Sequence, residues 1–146
     1  MAEAKKNYLP EGLPTPRAMR NGLDKEFWEA AKRHELVVQR CTSCSAFQWG
    51  PEPICHKCHS FELGWHKVSG RGRLFSWVRT WNPVHPALRS AVPYIVAVVE
   101  IPDADNIRMV GNLLGDPAQN PPFGVEVEAV FEDHGDATIV QWQLIK

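Results

Sequence analysis

The stretch CTSCSAFQWGPEPICHKC, residues 41–58, holds every cysteine in the chain: Cys41 and Cys44, a ten-residue spacer, then Cys55 and Cys58. Each Cys-x-x-Cys pair folds naturally into a tight knuckle that aims both sulfurs at one point. The spacer is long enough for a short hairpin that turns the second knuckle back onto the first. Four thiolates converging in this way make the closed tetrahedral site that zinc prefers in structural positions, and an iron ion fits the same cage. Residues Cys55-His56-Lys57-Cys58-His59 also fit the attachment motif of a c-type haem, but haem would leave Cys41 and Cys44 without a role. Two disulfides would need an oxidising compartment, and the opening residues MAEAKKNYLP carry no apolar stretch of a secretory leader. A thioredoxin-type pair stands singly at a helix start, whereas here two pairs face each other. The stretch is therefore expected to hold a structural zinc ion on Cys41, Cys44, Cys55 and Cys58, with His56 and His59 as solvated knuckle residues or, in the alternative, as a ligand in place of one thiolate.

Outward from this centre, Pro10, Gly12, Pro14 and Pro16 argue against regular structure in residues 1–20, which are expected to form a flexible arm. Asn21 or Asp24 is placed to cap a helix running to about His34. Leu23, Phe27, Ala30 and Ala31 share one face of it at helical spacing, and Trp28 widens the apolar stripe. So short a helix needs something to pack on. Phe27 and Trp28 are thus candidate contacts to a partner, with packing on their own domain as the alternative. Residues 35–40 (ELVVQR) alternate as a strand leading into Cys41, and Ala46–Trp49 is the outgoing strand between the knuckles.

From Trp65 the pattern changes to short strands. Trp65–Trp81 reads as one long strand bent at Gly70 and Gly72. The remaining strands are expected at Val92–Ile101, Asn106–Leu114, Val125–Glu132 and Thr138–Ile145, with a loop over residues 82–91 and a Pro-rich loop over 115–124. Five strands with no connection long enough for a crossover helix predict a small Greek-key barrel of the OB type. The expected class is mainly β, and the expected organisation is an arm (1–20), a helix plus zinc ribbon (21–64) and an OB-fold domain (65–146).

The formal net charge of -1 conceals an asymmetry: residues 1–90 carry 14 Lys and Arg against 8 Asp and Glu, whereas residues 91–146 carry 2 against 9. A chain held by many phosphates shows a strong overall basic excess, so nucleic acid is disfavoured as a partner. An OB-fold that binds single-stranded nucleic acid is the alternative function. No apolar run approaches the roughly 20 residues of a membrane span, and the expected location is the cytoplasm.

The Phe27-Trp28 helix, the LVVQR strand, the C-x-x-C…P-x-P-x-C-x-x-C ribbon, VSGRGRLFSW and a Pro-Tyr-apolar strand follow one another in a specific order. In that order, over residues 20–146, the chain resembles a bacterial and archaeal acyl-CoA-associated family that joins a rubredoxin-like zinc ribbon to an OB-fold. The resemblance implies a small accessory subunit of a thiolase-fold enzyme, hydroxymethylglutaryl-CoA synthase system or retro-aldolase, with some members pairing with hydratases. It implies a hetero-oligomer with a larger catalytic subunit, zinc on the four cysteines, and a ribbon–barrel region that helps dock the CoA part of an acyl-CoA. Within the family the chain looks most like small subunits of thiolases cleaving aromatic 3-oxoacyl-CoA compounds such as benzoylsuccinyl-CoA. Ser45 and His59 depart from the family pattern, which commonly has glycine after each knuckle's second cysteine.

Independent catalysis is not expected. Thiolase chemistry needs a free cysteine nucleophile, and four zinc ligands leave none. No nucleophile elbow, phosphate loop or dinucleotide fingerprint occurs in the sequence. His85 is the one histidine placed as a candidate acid or base. Arg71, Arg73, Arg79 and Arg89, with Lys67, are candidates for CoA phosphates because guanidinium forks match phosphate oxygens. By strand alternation Arg71, Arg73 and Arg79 are expected on one face, together with Trp77 and Trp81 for stacking on adenine or for contact with a partner, the alternative being a solvated face.

Overall fold

The computed structural model describes residues 9–146; residues 1–8 of the expected arm lie outside the described residues. Residues 9–24 carry turns, without helix or strand. The helix α1 (Lys25–Lys32) follows, with Phe27, Ala30 and Ala31 buried, as the helical spacing requires. Asp24 stands at its N-cap position but does not cap it with its side chain. Its carboxylate instead accepts the Trp28 indole N–H at 2.8 Å and the Met19 amide at 2.8 Å. The cap residue is thus used to tie the arm to the helix.

A three-stranded antiparallel sheet is ordered β2–β1–β3, from β1 (Leu36–Cys41), β2 (Phe47–Gln48) and β3 (Leu63–Val68). Strand β1 lies in the middle and is buried at five of its six positions. The five remaining strands close a barrel in the order β4–β5–β6–β8–β7: β4 (Arg71–Thr80), β5 (Tyr94–Ile101), β6 (Ile107–Leu113), β7 (Glu126–His134) and β8 (Ala137–Leu144). This is the OB arrangement that five strands without a crossover helix predict.

One expected strand is two. The run from Trp65 to Trp81 breaks at Gly70, whose φ of +84° turns the chain. The Leu63–Val68 half pairs along its whole length with β1, while the Arg71–Thr80 half opens the barrel. Asp103 pins the junction, its Oδ2 accepting the Ser69 amide at 2.7 Å. Helix α1 packs on both β1 and β8, and a single apolar cluster runs from Phe27, Leu36, Val38 and Phe47 into Leu74, Val99, Leu113 and Trp142. At the helix end the His34 ring stacks on Phe131 and its Nε2 meets Asp133 at 2.9 Å. Among the described residues, no helix is long and apolar enough to cross a membrane.

Candidate functional site

The two knuckles are built alike. In the first, the Cys41 amide donates to Ala46 O (2.9 Å) and the Ser45 amide to Cys41 O (3.0 Å). In the second, the Cys55 amide donates to Ser60 O (2.8 Å) and the His59 amide to Cys55 O (3.0 Å). Backbone amides also point at the sulfurs: Cys44 N lies 3.5 Å from Cys41 Sγ, and Lys57 N lies 3.4 Å from Cys55 Sγ. Ser43 Oγ and Ser60 Oγ, 3.0 Å apart, join one knuckle to the other. Ser45 and His59 have φ of +65° and +62°, the left-handed region where glycine is at ease. The departure from glycine seen in the sequence therefore falls on the two residues that turn each knuckle.

All four sulfurs lie within 4.8 Å of one another, and the Cys41–Cys58 and Cys44–Cys55 pairs are each 3.6 Å apart. A tetrahedral zinc with bonds of about 2.3 Å sets its sulfurs about 3.8 Å apart, so the cluster fits such an ion. Disulfides are absent; a bonded pair would sit at about 2.05 Å. The Cys44 amide, partly opposed by burial, holds the Cys41 thiol at about 6. Cys58 also receives an amide, from Ser60, yet burial and the three neighbouring sulfurs outweigh it and push its thiol up to about 12. Sulfurs this crowded do not all ionise unless a cation sits among them, which is the electrostatic case for a metal.

Two residues that the sequence did not single out bring the knuckles together. Gln39 and Gln48 are cross-strand neighbours on β1 and β2, both buried, and Gln48 Nε2 donates to Gln39 Oε1. Gln39 then clamps the turn after Trp49, donating to Glu52 O and accepting from the Glu52 amide, both at 3.0 Å. Gln48 Nε2 donates to Ile54 O, and Gln48 Oε1 meets the His56 amide at 3.0 Å and His56 Nδ1 at 2.9 Å. The pair thus delivers Cys55 to the centre. In polar strand positions the signal existed, but glutamine is ordinarily a surface residue.

The expected phosphate-binding arginines do not share a face. The β4–β5 register shifts between Leu74 and Ser76, and this bulge inverts the alternation. Arg71 and Arg73 lie on the exposed side, opposite Glu128 and Glu126 of β7. Beyond the bulge Trp77 and Arg79 pair with the buried Ala97 and Ile95, so they turn toward the barrel end. There Trp77 Nε1 donates to Pro121 O (3.1 Å), and Arg79 donates to Pro117 O (2.7 Å), Gln119 O and Asn120 Oδ1 (3.2 Å). Arg79 is consequently the anchor of the Pro-rich loop. Eight residues of strand also place it roughly 26 Å from Arg71, too far for one phosphate group. Lys67 pairs with Glu35 at 3.6 Å. Trp81 (68% exposed) and Arg89 remain on the surface of the loop between β4 and β5. His85 spends Nδ1 on the Ala87 amide at 3.1 Å, as the cap of a single helical turn. Phe27 is 8% exposed and packs on Trp49 at 4.6 Å between ring centroids, so it sits in its own chain's core, while Trp28 stays half-buried.

On the barrel, Val78, Val96, Val98 and Val110 are neighbours across β4, β5 and β6, and Val78 and Val110 are exposed. The second and third barrel strands carry the ligand face of oligonucleotide-binding OB-folds, which stack bases on aromatic rings. Here the middle of that face is aliphatic. Its aromatic neighbour, Phe75, is already covered by the Arg108 guanidinium, 3.7 Å from the ring centroid.

Comparison with known proteins places these features in one family. Residues 28–64 match the family described as the ChsH2 rubredoxin-like zinc ribbon domain, and residues 65–132 match the ChsH2 C-terminal OB-fold domain. A probable enoyl-CoA hydratase alpha subunit of Thermomonospora curvata is 36% identical over 117 residues, covering 77% of this chain and 35% of that protein. The 3-oxo-4,17-pregnadiene-20-carboxyl-CoA hydratase alpha subunit of Mycobacterium tuberculosis is 30% identical over 138 residues, covering 92% of this chain and 43% of that protein. The chain thus spans well under half the length of these curated relatives. Among solved structures, a chain of the Ltp2-ChsH2(DUF35) aldolase superposes with a TM-score of 0.76 at 30% identity, covering 89% of this chain and 98% of that one. A DUF35 protein of unknown function from Sulfolobus solfataricus shares the fold with a TM-score of 0.60 at 12% identity, covering 83% and 84%. A four-cysteine ribbon, an OB barrel in sequence with it and a relative matched over nearly its full length make this chain a member of the ChsH2-type DUF35 family of zinc-ribbon and OB-fold proteins.

Proposed function

We propose that this chain is a non-catalytic zinc-binding accessory component of an enzyme that makes or breaks a carbon–carbon bond in an acyl-CoA. Its catalytic partner is a larger thiolase-fold subunit. Zinc on Cys41, Cys44, Cys55 and Cys58 fixes the ribbon, and the ribbon–barrel unit stabilises the partner and helps dock the CoA moiety. The observation that carries this reading is the match over 98% of a chain in the Ltp2-ChsH2(DUF35) aldolase. Two further points support it. Both curated relatives are named as alpha subunits of CoA-thioester hydratases. All four cysteines are drawn into one centre, which leaves no thiol to accept an acyl group.

The test is reconstitution. The chain, used as affinity bait in extract of its native cell, is expected to retain a larger thiolase-fold protein. That protein should turn over its acyl-CoA substrate only when the chain is present. Full activity of the larger protein by itself, or tight salt-sensitive capture of oligonucleotides by the chain, would overturn the proposal.

A further inference from the structure

Strands β6 and β8 close the barrel at a single bridge, Leu113 to Trp142, and diverge on either side of it. A cavity opens on each flank of this seam. One, of about 790 Å³, lies under the arm, with Ile95 and Leu113 at its floor and Leu9, Leu13, Leu88 and Pro93 in its walls. The other, of about 290 Å³, runs between β6, α1 and the ribbon, and Phe27, Trp28, Trp49 and Val110 line it. Asn112 and Gln141 border both cavities, so two carboxamides stand where the two spaces meet.

Gln141 is held for a purpose its own packing does not use. It is 1% exposed, and its Nε2 donates to Glu132 Oε2 at 3.1 Å, which fixes which way the amide faces. Its Oε1 and the Asn112 side-chain amide make no hydrogen bond among the described residues, and since no buried side-chain polar atom there lacks a partner, both open to the cavities they line. Glu132, itself 2% exposed, also accepts the Leu9 amide at 2.8 Å and His134 Nε2 at 2.9 Å. The same buried carboxylate therefore sets the carboxamide at the seam and the arm that walls the larger cavity. At the rim, Arg89 is exposed and without a side-chain partner among the described residues, between Leu88 and Ser90, which line the cavity.

We infer that this seam is the binding groove for the pantetheine arm of a CoA thioester. Gln141 Oε1 and the Asn112 amide meet its secondary amides, Arg89 meets phosphate at the rim, and the thioester end points to the Trp28–Trp49 groove. The inference rests on the acyl-CoA reading above and assigns its ligand to residues. A linear chain with amides at intervals and methyl groups between them suits apolar walls interrupted by two carboxamides. A single rim cation does not match the several phosphate charges of the adenosine half, which is left outside the groove.

The test uses the full-length zinc-loaded chain and its tryptophan emission, since Trp28 and Trp49 line the smaller cavity. S-acetylpantetheine and acetyl-CoA are each expected to change the emission saturably, and adenosine 3′,5′-bisphosphate is not. Asn112→Leu should weaken both thioesters about three- to tenfold, as the loss of one hydrogen bond does. Arg89→Ala should weaken acetyl-CoA only. Zinc content and melting temperature of each variant report whether the fold is kept, and Asn112, which is half-buried, is the safer of the two carboxamides to remove. Absence of saturable S-acetylpantetheine binding at millimolar concentration, or unchanged affinity in Asn112→Leu, overturns the groove. If a catalytic partner nonetheless requires this chain, the accessory role stands and only the groove is lost. A partner fully active without the chain removes the accessory role instead.

Discussion

The ribbon and the barrel sit on one continuous chain and reach stability by different means. The barrel buries Leu74, Ile95, Val99, Ile101, Val127 and Trp142 inside strands that are hydrogen-bonded around a closed ring. The ribbon has a two-residue strand, a pair of buried glutamines and two left-handed turns, and few apolar residues of its own beyond those it shares with α1 and the barrel. A region so small cannot offset the entropy of ordering its loops by apolar burial alone. The four sulfurs supply what the ribbon's core lacks. The barrel answers to packing, and the ribbon answers to metal.

Four changes test that contrast, and the largest effect falls on the ribbon. Cys41→Ser or Cys58→Ser is expected to cost the ribbon about 10 kcal/mol or more through loss of the metal. Hydrogen exchange should then show amides of residues 36–68 unprotected while β5 keeps its protection. Equal loss in both regions would mean that the two stand or fall together. On the barrel side, a methyl group at Gly72 would lie 2.3 Å from Val99 Cγ1 and 2.9 Å from Glu100 O. Gly72→Ala should therefore cost about 3 kcal/mol by overpacking, with zinc content unchanged. Denaturant unfolding together with metal analysis checks both parts.

The joint between the two regions gives a smaller, pH-dependent effect. Asp133 is held below the usual carboxylate range first by the Thr138 hydroxyl at 2.7 Å and then by His34. A lowered folded-state value means that this contribution is present above the ordinary carboxylate value. It is lost as pH falls through the lower folded value. Asp133→Asn should accordingly lower the melting temperature slightly at neutral pH and flatten the acid limb, so that the two profiles converge below about pH 4. The smallest effect is a gain. Ser45→Gly and His59→Gly relieve left-handed residues and should each stabilise the chain by up to about 1 kcal/mol, read as a rise in melting temperature. A loss at either position would show that the serine or histidine side chain is needed.

Much of this architecture is legible in the sequence. The paired spacing of Cys41, Cys44, Cys55 and Cys58 reports the metal cluster, because only converging knuckles give all four a common task. Alternation locates β5 to β8 within one to two residues. Three features are not legible, each for a physical reason. The bulge between Leu74 and Ser76 falls where no glycine or proline marks it, and it turns Arg79 from a surface cation into a loop anchor. The break at Gly70 is marked, but a bent strand and two strands share that mark until pairing with β1 decides between them. Glu132 reads as a solvated partner of Glu126 and Glu128, and it does stand on their side of β7. It is buried because the arm, distant in sequence, binds it through Leu9. Local pattern carries no record of such a contact.

Sulfurs that grip an ion are not free to accept an acyl group. Native mass spectrometry of the purified chain after incubation with an acyl-CoA tests this in one spectrum. The expected mass is that of the polypeptide plus one zinc ion, with all four cysteines unmodified. A metal-free species carrying an acyl group on any one of them would contradict it.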